Sequence, residues 1–117
     1  MKPDTSFWHE MGNLIAADKI VIDRPKGARH PRYPDYIYPL DYGYLENTIA
    51  GDGDGIDVWI GSHSIKTLTG ILCTFDTIKR DAEIKLLIAC TDDDVRAIRK
   101  FHHQMVTLFI PNPLAES

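Results

Sequence analysis

Residues 25–48, PKGARHPRYPDYIYPLDYGYLENT, contain four prolines and five tyrosines. This density of proline limits the folds open to the chain more than any other feature. Proline lacks a backbone N–H and has a fixed φ angle, so the segment cannot form a long helix and suits extended, edge-like pieces and turns. No helical stretch separates the middle strand-like runs of the chain, which disfavours a parallel α/β sheet.

Apolar periodicity predicts the other elements. Apolar residues recur at helical spacing over 5–17, and 91–105 is predicted to be a second helix, with Thr91 as its cap and acidic residues in its first turn. Strands are predicted at 19–24, 56–62, 67–77, 82–91 and 106–111, with a hairpin around 79–81. We therefore expect one mostly-β (α+β) domain over residues 1–117, a five- or six-stranded barrel with a short helix near each end.

Composition excludes several classes of protein. The 117 residues include 13 Lys and Arg against 17 Asp and Glu, a net charge of −4. This acidity argues against nucleic acid or an anionic membrane surface as the main partner. No apolar run approaches the ~20 residues that span a bilayer, and 1–13 lacks the apolar core of a signal peptide. Cys73 and Cys90 lie in apolar runs and are predicted to be buried thiols rather than a disulfide, which fits a cytoplasmic location.

Three aspartates, Asp52, Asp54 and Asp57, lie within six positions in GDGDGIDV, residues 51–58. Like charges about 5 Å apart repel by roughly 3 kcal/mol per pair at an effective dielectric near 20, so solvent, protonation or a cation must offset them. A solvated turn is one interpretation. An EF-hand calcium loop fits poorly, because the twelfth position counted from Asp52 is His63 rather than glutamate. A magnesium site, in which glycines let carboxylates converge, is the third.

The segment YPLDYGYLENTIAGDGDGIDVWI, residues 38–60, resembles the core of the soluble family I inorganic pyrophosphatases. In that family a Tyr-Pro-x-x-Tyr-Gly-Tyr segment runs into an Asp-Gly-Asp-Pro-x-Asp signature. The matching residues are Tyr38, Pro39, Tyr42, Gly43, Tyr44, Asp52, Asp54 and Asp57. Gly55 replaces the usual proline or glutamate, and we expect it to loosen the loop. With weaker similarities at 22–33, 70–76 and 83–85, the resemblance covers about residues 19–91.

The resemblance implies an OB-like barrel that hydrolyses inorganic diphosphate to two phosphates with metal-activated water. The implied cofactor is Mg²⁺, with Mn²⁺ as a substitute, because divalent cations neutralise a compact polyanion and activate water. Asp54 is the implied general base. The implied metal ligands are Asp52, Asp57, Asp76, Asp23 and either Glu83 or Asp81. The implied phosphate ligands are Arg32, Lys85, Lys26, Arg29, Tyr38 and Tyr42, and the resemblance gives Arg32, Tyr42 and Lys85 a catalytic role as well.

Several of these residues also have a purely structural interpretation. Asp76 is a common type of turn residue, Lys85 could belong to the polar face of a strand, and tyrosines such as Tyr42 are often half-buried packing in β-rich domains. Arg29, His30 and Arg32 could form an exposed basic turn. His102 and His103 are interpreted as structural residues whose partial positive charge suits a helix end.

The chain also departs from the family pattern. Only four residues, 34–37, separate Tyr33 from Tyr38, so the family's inserted hairpin and its phosphate-binding arginine are missing, and its late Tyr-Lys pair has no clear counterpart. A phosphohydrolase of the same fold acting on another phosphoanhydride or phosphate ester, or a non-catalytic domain that binds Mg²⁺ or phosphate, is therefore an alternative. A nucleic-acid-binding barrel would use the aromatic residues of 33–44 but is opposed by the acidity. The expected partners are pyrophosphate and, because bacterial members of the family commonly form hexamers, further copies of the chain.

Overall fold

The computed structural model describes residues 4–115, so both ends of the predicted 1–117 domain lie outside the described residues. The elements follow in the order α1 (Ser6–Ala17), β1 (Ile20–Arg24), β2 (Asp41–Leu45), β3 (Asp57–Ile60), β4 (Leu68–Asp76), β5 (Asp81–Ile88), α2 (Asp92–Phe101) and β6 (Val106–Pro111). The predicted mostly-β class, with one helix near each end, is confirmed. Neither helix in this part of the chain has the length and apolar character needed to cross a membrane.

The six strands form one mixed sheet in the order β1-β2-β3-β5-β4-β6. Neighbours are antiparallel except β3 and β5, which are parallel. Strand β2 differs from the expectation of edge-like pieces in the proline-rich segment, because it lies inside the sheet between β1 and β3. It can do so because Asp41–Leu45 begins after the last of the four prolines, Pro39, and keeps all its backbone donors.

Other element boundaries shift by a few residues. The second helix ends at Phe101 rather than at 105, because residues 102–105 form turns that lead into β6. Its N-terminus is as predicted: the Thr91 hydroxyl accepts the N–H of Asp94 in a capping box. Both cysteines are free thiols, as predicted, with Cys90 buried and Cys73 half-buried.

Two glycines allow close approaches around β2. A Cβ at Gly43 would lie 1.8 Å from the backbone oxygen of Val21, so only glycine lets β1 and β2 pair here. A Cβ at Gly55 would lie 2.7 Å from a ring carbon of Tyr44. The loop at Gly55 therefore lies against that tyrosine, and the loosening expected from Gly55 stays a prediction.

Each face of the sheet carries one helix and one apolar cluster. On one face Val58 and Leu86 pack with Trp8 of α1. On the other face Trp59 and Leu87, which are the next residues along the same strands, pack with Val95 and Ile98 of α2. This alternation follows from the two-residue period of a strand. The predicted site residues with the closest mutual contacts lie on the α2 side.

Candidate active site

Lys85 is the centre of a polar cluster on the α2 side of the sheet. The residue is only 4% exposed. Its ammonium donates to Tyr42 Oη at 2.8 Å, to Asp57 Oδ2 at 3.0 Å and to Glu83 Oε2 at 3.3 Å. We call these four residues the Lys85 cluster. The structure thus brings together predicted site residues from three different strands.

Strand geometry explains how the Lys85 cluster forms. Glu83 and Lys85 are two residues apart on β5, so their side chains lie on one face. In the parallel pair, Val58 is opposite Leu86, which places the preceding residue, Asp57, beside Lys85. The sequence left open whether Glu83 or Asp81 is a metal ligand. Of these two acids, Glu83 is the one that belongs to the Lys85 cluster.

The charge state of the cluster follows from its burial. Burial alone would lower the pKa of Lys85, but the Tyr42 hydroxyl and the Asp57 carboxylate beside it outweigh burial and hold that pKa above its ordinary value. Burial raises the pKa of Tyr42 in turn. Lys85 is therefore charged near neutral pH and Tyr42 is a phenol. The Tyr42 oxygen accepts from Lys85, so its own O–H can act as a donor, and a hydrogen bond with Asp57 also raises the pKa of Tyr42.

The ring of Tyr42 packs in an aromatic cluster with Trp59, Tyr38 and Phe101. Trp59 has no solvent exposure, and its ring centroid lies 4.7 Å from that of Tyr42 and 5.7 Å from that of Tyr38. Tyr38 lies 4.6 Å from Phe101 of α2. The two interpretations of Tyr42 are thus compatible, since its ring packs against Trp59 while its hydroxyl reaches Lys85.

Asp52 and Asp54 lie in the exposed loop between β2 and β3. The N–H of Asp54 donates to Asp52 Oδ1 at 3.0 Å, and Gly53 turns the chain with a φ of 89°. The Thr48 hydroxyl bridges the two ends of the loop through bonds of 2.7 and 2.9 Å. The loop therefore delivers Asp57 to the Lys85 cluster and leaves the other two aspartates at its exposed rim.

Asp76 and Asp81 face each other at the turn end of the β4–β5 hairpin. Asp76 Oδ1 accepts two backbone N–H groups of the turn, at 2.9 and 3.0 Å, and these bonds lower the pKa of Asp76. With a rise of about 3.4 Å per residue, Asp81 lies roughly 13 Å along the strand from Lys85. The structure gives Asp76 the turn-forming role that the sequence also allowed, and neither acid contacts the Lys85 cluster in residues 4–115.

Residues 27–38 form a short hairpin in which Arg29 pairs with Ile37. Arg29 Nη1 donates to the backbone oxygen of Pro34 at 3.0 Å, which holds the hairpin together. Arg32 lies exposed near the hairpin turn, and Lys26 lies exposed just before the hairpin. In the described part of the chain, none of these three predicted phosphate ligands contacts the Lys85 cluster.

Arg24 is a cation that the sequence interpretation missed. Strand β1 pairs regularly with β2 as far as Ile22, and the next paired residue is Arg24, opposite Tyr42. Asp23, a predicted metal ligand, is the extra residue of this β-bulge. Directly paired side chains share a face of the sheet, so Arg24 is on the face of Tyr42. Strict alternation along β1 would give Arg24 the opposite face, and no signal in the sequence marks the bulge.

The donors of the Lys85 cluster fit a hard cation such as Mg²⁺. Among residues 4–115, no three His, Cys, Asp or Glu side chains converge closely enough to hold a metal ion by themselves. However, Asp57 and Glu83 already surround one positive charge, the Lys85 ammonium, and their side chains are 26% and 35% exposed. Mg²⁺ usually binds one or two carboxylates and completes its shell with water and phosphate oxygens. Such a donor set therefore suits Mg²⁺ that arrives together with a phosphate compound.

Comparison with known proteins identifies the family. A family model described as inorganic pyrophosphatase matches residues 15–103. The chain belongs to the soluble family I inorganic pyrophosphatases. The resemblance drawn from residues 38–60 is thereby confirmed.

Three curated relatives named inorganic pyrophosphatase are similar to the chain. The protein of Picrophilus torridus is 27% identical over 120 residues, which cover 81% of this chain and 67% of that protein. The protein of Streptomyces coelicolor is 29% identical over 107 residues, covering 72% and 65%. That of Leifsonia xyli subsp. xyli is 34% identical over 61 residues, covering 39% and 37%. The chain thus spans about two thirds of the first relative and less of the other two.

Solved structures support the fold. An inorganic pyrophosphatase from Coxiella burnetii has a TM-score of 0.54 and 16% identity, covering 79% of this chain and 82% of that chain. An inorganic phosphatase from Anaplasma phagocytophilum has a TM-score of 0.51 and 18% identity, covering 79% and 81%. At these identities the likeness concerns the fold alone, and it confirms the predicted pyrophosphatase-type, OB-like class.

Proposed function

We propose that the chain hydrolyses inorganic diphosphate to two phosphates, with Mg²⁺ as its cofactor. The observation that carries the proposal is the Lys85 cluster, in which one buried ammonium holds two carboxylates and a phenol on the fold of a pyrophosphatase. The carboxylates offer oxygen ligands to a divalent cation. The phenol O–H of Tyr42 would offer a hydrogen bond to a phosphate oxygen. A site for a magnesium–diphosphate complex needs both.

Hydrolysis of diphosphate requires mainly that the protein position the reactants and supply charge. In our proposal, Lys85 holds Asp57 and Glu83 in place, and Tyr42 donates to a phosphate oxygen. The water oxygen bonds to one phosphorus while the bridging P–O bond breaks, and Asp54 accepts the water proton as general base. Asp57 and Glu83 would hold Mg²⁺, which would supply positive charge to the phosphate oxygens and activate water, and Mn²⁺ suits the same oxygen donors.

The remaining predicted ligands keep their roles as proposals. Asp52 and Asp81 lie at the exposed rim of the site, where they would add oxygen ligands for further cations, as would Asp76 and Asp23. The cations of the hairpin region and the second tyrosine would bind phosphate. These are Arg29, Arg32, Lys26 and Tyr38.

The first test is phosphate release from diphosphate with and without Mg²⁺. Asp57→Asn is expected to reduce magnesium-dependent release by about 100-fold or more, since it removes a charge from the cation ligands and leaves Lys85 with one charged partner. Asp93→Asn is the matched control, because the Asp93 side chain is 86% exposed on α2. Asp54→Asn is expected to reduce turnover while magnesium affinity, measured by calorimetry, stays unchanged. An Asp57→Asn variant that keeps both magnesium binding and release would contradict the proposal.

We also propose that the chain forms a homo-oligomer, which an exposed apolar area on β4, β5 and β6 supports. Phe75, Ile84, Val106 and Leu108 are each between 42% and 61% exposed. A cytoplasmic location is proposed as well, and the two free thiols support it because disulfides are rare in a reducing compartment.

A further inference from the structure

We propose that Arg24 is a phosphate-binding residue of this site, and that its guanidinium holds the diphosphate beside Tyr42. The inference rests on the proposed function and names a ligand that the sequence interpretation did not include. The strand register, the donors already in use around the site and the charges acting on neighbouring groups support it.

The β-bulge in β1 brings Arg24 to the site. Because Asp23 is the extra residue, Arg24 pairs directly with Tyr42 across the β1–β2 ladder. The side chains of such a pair start about 5 Å apart on the same face. The Tyr42 hydroxyl lies 2.8 Å from the Lys85 ammonium. The Arg24 side chain therefore starts beside that of Tyr42, a member of the Lys85 cluster.

The cations that were predicted from the sequence are already engaged or lie outside the cluster. A lysine ammonium has three donors, and Lys85 uses them on Tyr42, Asp57 and Glu83. Lys85 can bind phosphate only by giving up one of these partners. Arg29 donates to a backbone oxygen within its own hairpin. A phosphate group at Tyr42 would therefore gain from the additional cation that Arg24 supplies.

Arg24 has donors to offer. Its Nη1 donates to the backbone oxygen of Asp23 at 3.0 Å and lies 4.0 Å from the carboxylate of that residue. A guanidinium has five N–H donors in a planar fork, which matches two phosphate oxygens at once. The side chain is 37% exposed, so the fork is open to a ligand that enters from solvent.

The charge of Arg24 acts on two residues of the hairpin region, Tyr38 and His30. Burial raises the pKa of Tyr38, and the positive charges of Arg24 and Lys85 both oppose that shift. Burial also lowers the pKa of His30 in the hairpin, and the charges of Arg24 and Arg32 lower it further. Arg24 thus places positive charge beside Tyr38, whose ring centroid lies 5.5 Å from that of Tyr42.

The test is steady-state kinetics of diphosphate hydrolysis at saturating Mg²⁺. We expect Arg24→Gln to raise KM for diphosphate, and the inhibition constant of inorganic phosphate, by about 10-fold or more, because it removes charged hydrogen bonds to phosphate. Arg24→Lys is expected to recover part of the loss, since it restores the charge without the fork. Arg96→Gln is the matched control, because the Arg96 side chain is 70% exposed on α2. A circular dichroism spectrum shared by all variants verifies the fold.

The possible outcomes separate this inference from the proposed function. If the native chain hydrolyses diphosphate but Arg24→Gln keeps the native KM and inhibition constant, the role of Arg24 is wrong and the proposed function stands. If the native chain releases no phosphate, the proposed function fails. Calorimetry of inorganic phosphate binding in the presence of Mg²⁺ then tests whether Arg24 binds phosphate. Weaker binding by Arg24→Gln than by the native chain supports the inference, whereas equal binding or none by either protein overturns it.

Discussion

Two buried polar atoms lie in the aromatic cluster behind the site. Trp59 Nε1 and His102 Nε2 have no hydrogen-bond partner within residues 4–115, and the two rings meet edge to face with centroids 5.8 Å apart. Burial lowers the pKa of His102 to about 3, and the positive charge of Lys85 acts in the same direction. His102 is therefore structural, as the sequence suggested, but it is neutral at pH 7 rather than a positive partner of the helix dipole.

We expect His102 to make the protein less stable in acid. A histidine in the unfolded chain titrates near 6.5, so between that pH and about 3 the unfolded state binds a proton that the folded state excludes. The free energy of unfolding then falls as pH falls, by at most about 1.4 kcal/mol per pH unit from this group. Urea unfolding from about pH 7 down to about pH 4 measures the slope.

The matched variants for this measurement are His102→Phe and His103→Phe. The first removes the titrating ring and keeps an aromatic shape in the buried position, so its acid slope is expected to be shallower than that of the native chain. The second changes the exposed neighbour and is expected to keep the native slope. Equal slopes in all three proteins would show that His102 does not titrate in this way.

The resemblance to the pyrophosphatase family predicted the members of the Lys85 cluster. Tyr42, Asp57, Glu83 and Lys85 carry local signals, because tyrosine and aspartate motifs are read along the chain and alternation marks a strand face. Arg24 carried no such signal. Its position depends on a bulge formed against β2, and a pairing between separate strands cannot be read from either strand alone.

At the scale of elements, Asp94 joins α2 to the segment that leaves β3. Its Oδ2 accepts the N–H and the hydroxyl of Ser62, both at 2.8 Å, and the N–H of Thr91 at 3.0 Å. Burial would raise the pKa of Asp94, but these hydrogen bonds outweigh it and lower that pKa. The carboxylate thereby fixes the start of α2, whose other end packs on the aromatic cluster.

We expect Asp94→Ala to lower the free energy of unfolding by about 1–3 kcal/mol, because it leaves two backbone N–H groups and a hydroxyl without their shared acceptor. Asp93→Ala, one position earlier and exposed, is expected to cost about 0.5 kcal/mol or less, the size of a charge effect in a first helical turn. Urea unfolding at neutral pH compares the two variants. Similar losses in both would mean that the bonds of Asp94 contribute no more than its charge.

The elements were predictable where one local pattern dominated. The strands at 67–77 and 82–91 are apolar runs bounded by turn residues, and α2 shows a cap, an acidic first turn and a helical period. Strand β2 was not predicted, because the prolines before it and the glycine within it both argue against a central strand. Hydrogen bonds from the neighbouring strands on both sides nevertheless hold it inside the sheet.

At the scale of the whole molecule, helix α1 covers only part of its face of the sheet. The rows Ala82–Phe75–Val106 and Ile84–Cys73–Leu108 run across β5, β4 and β6 in register. Their exposed side chains form an apolar area on the order of a few hundred Å², about the size of the largest apolar patch on a typical monomer, which is often functional. The rows contain no charge, so two copies with a net charge of −4 could pack face to face here without repulsion at the contact.

This apolar area predicts that Leu108→Lys separates the oligomer into monomers. Leu108 is 58% exposed in the single chain, so the lysine can extend into solvent and the fold of the monomer is retained, whereas at a closed interface it would bury an unpaired charge. Light scattering after size exclusion gives the mass of each species. Ile78→Lys is the matched control, because Ile78 is 91% exposed at the β4–β5 turn and lies outside both rows. A native chain that is monomeric at micromolar concentration, or a Leu108→Lys variant with the native mass, would show that this face is not the interface.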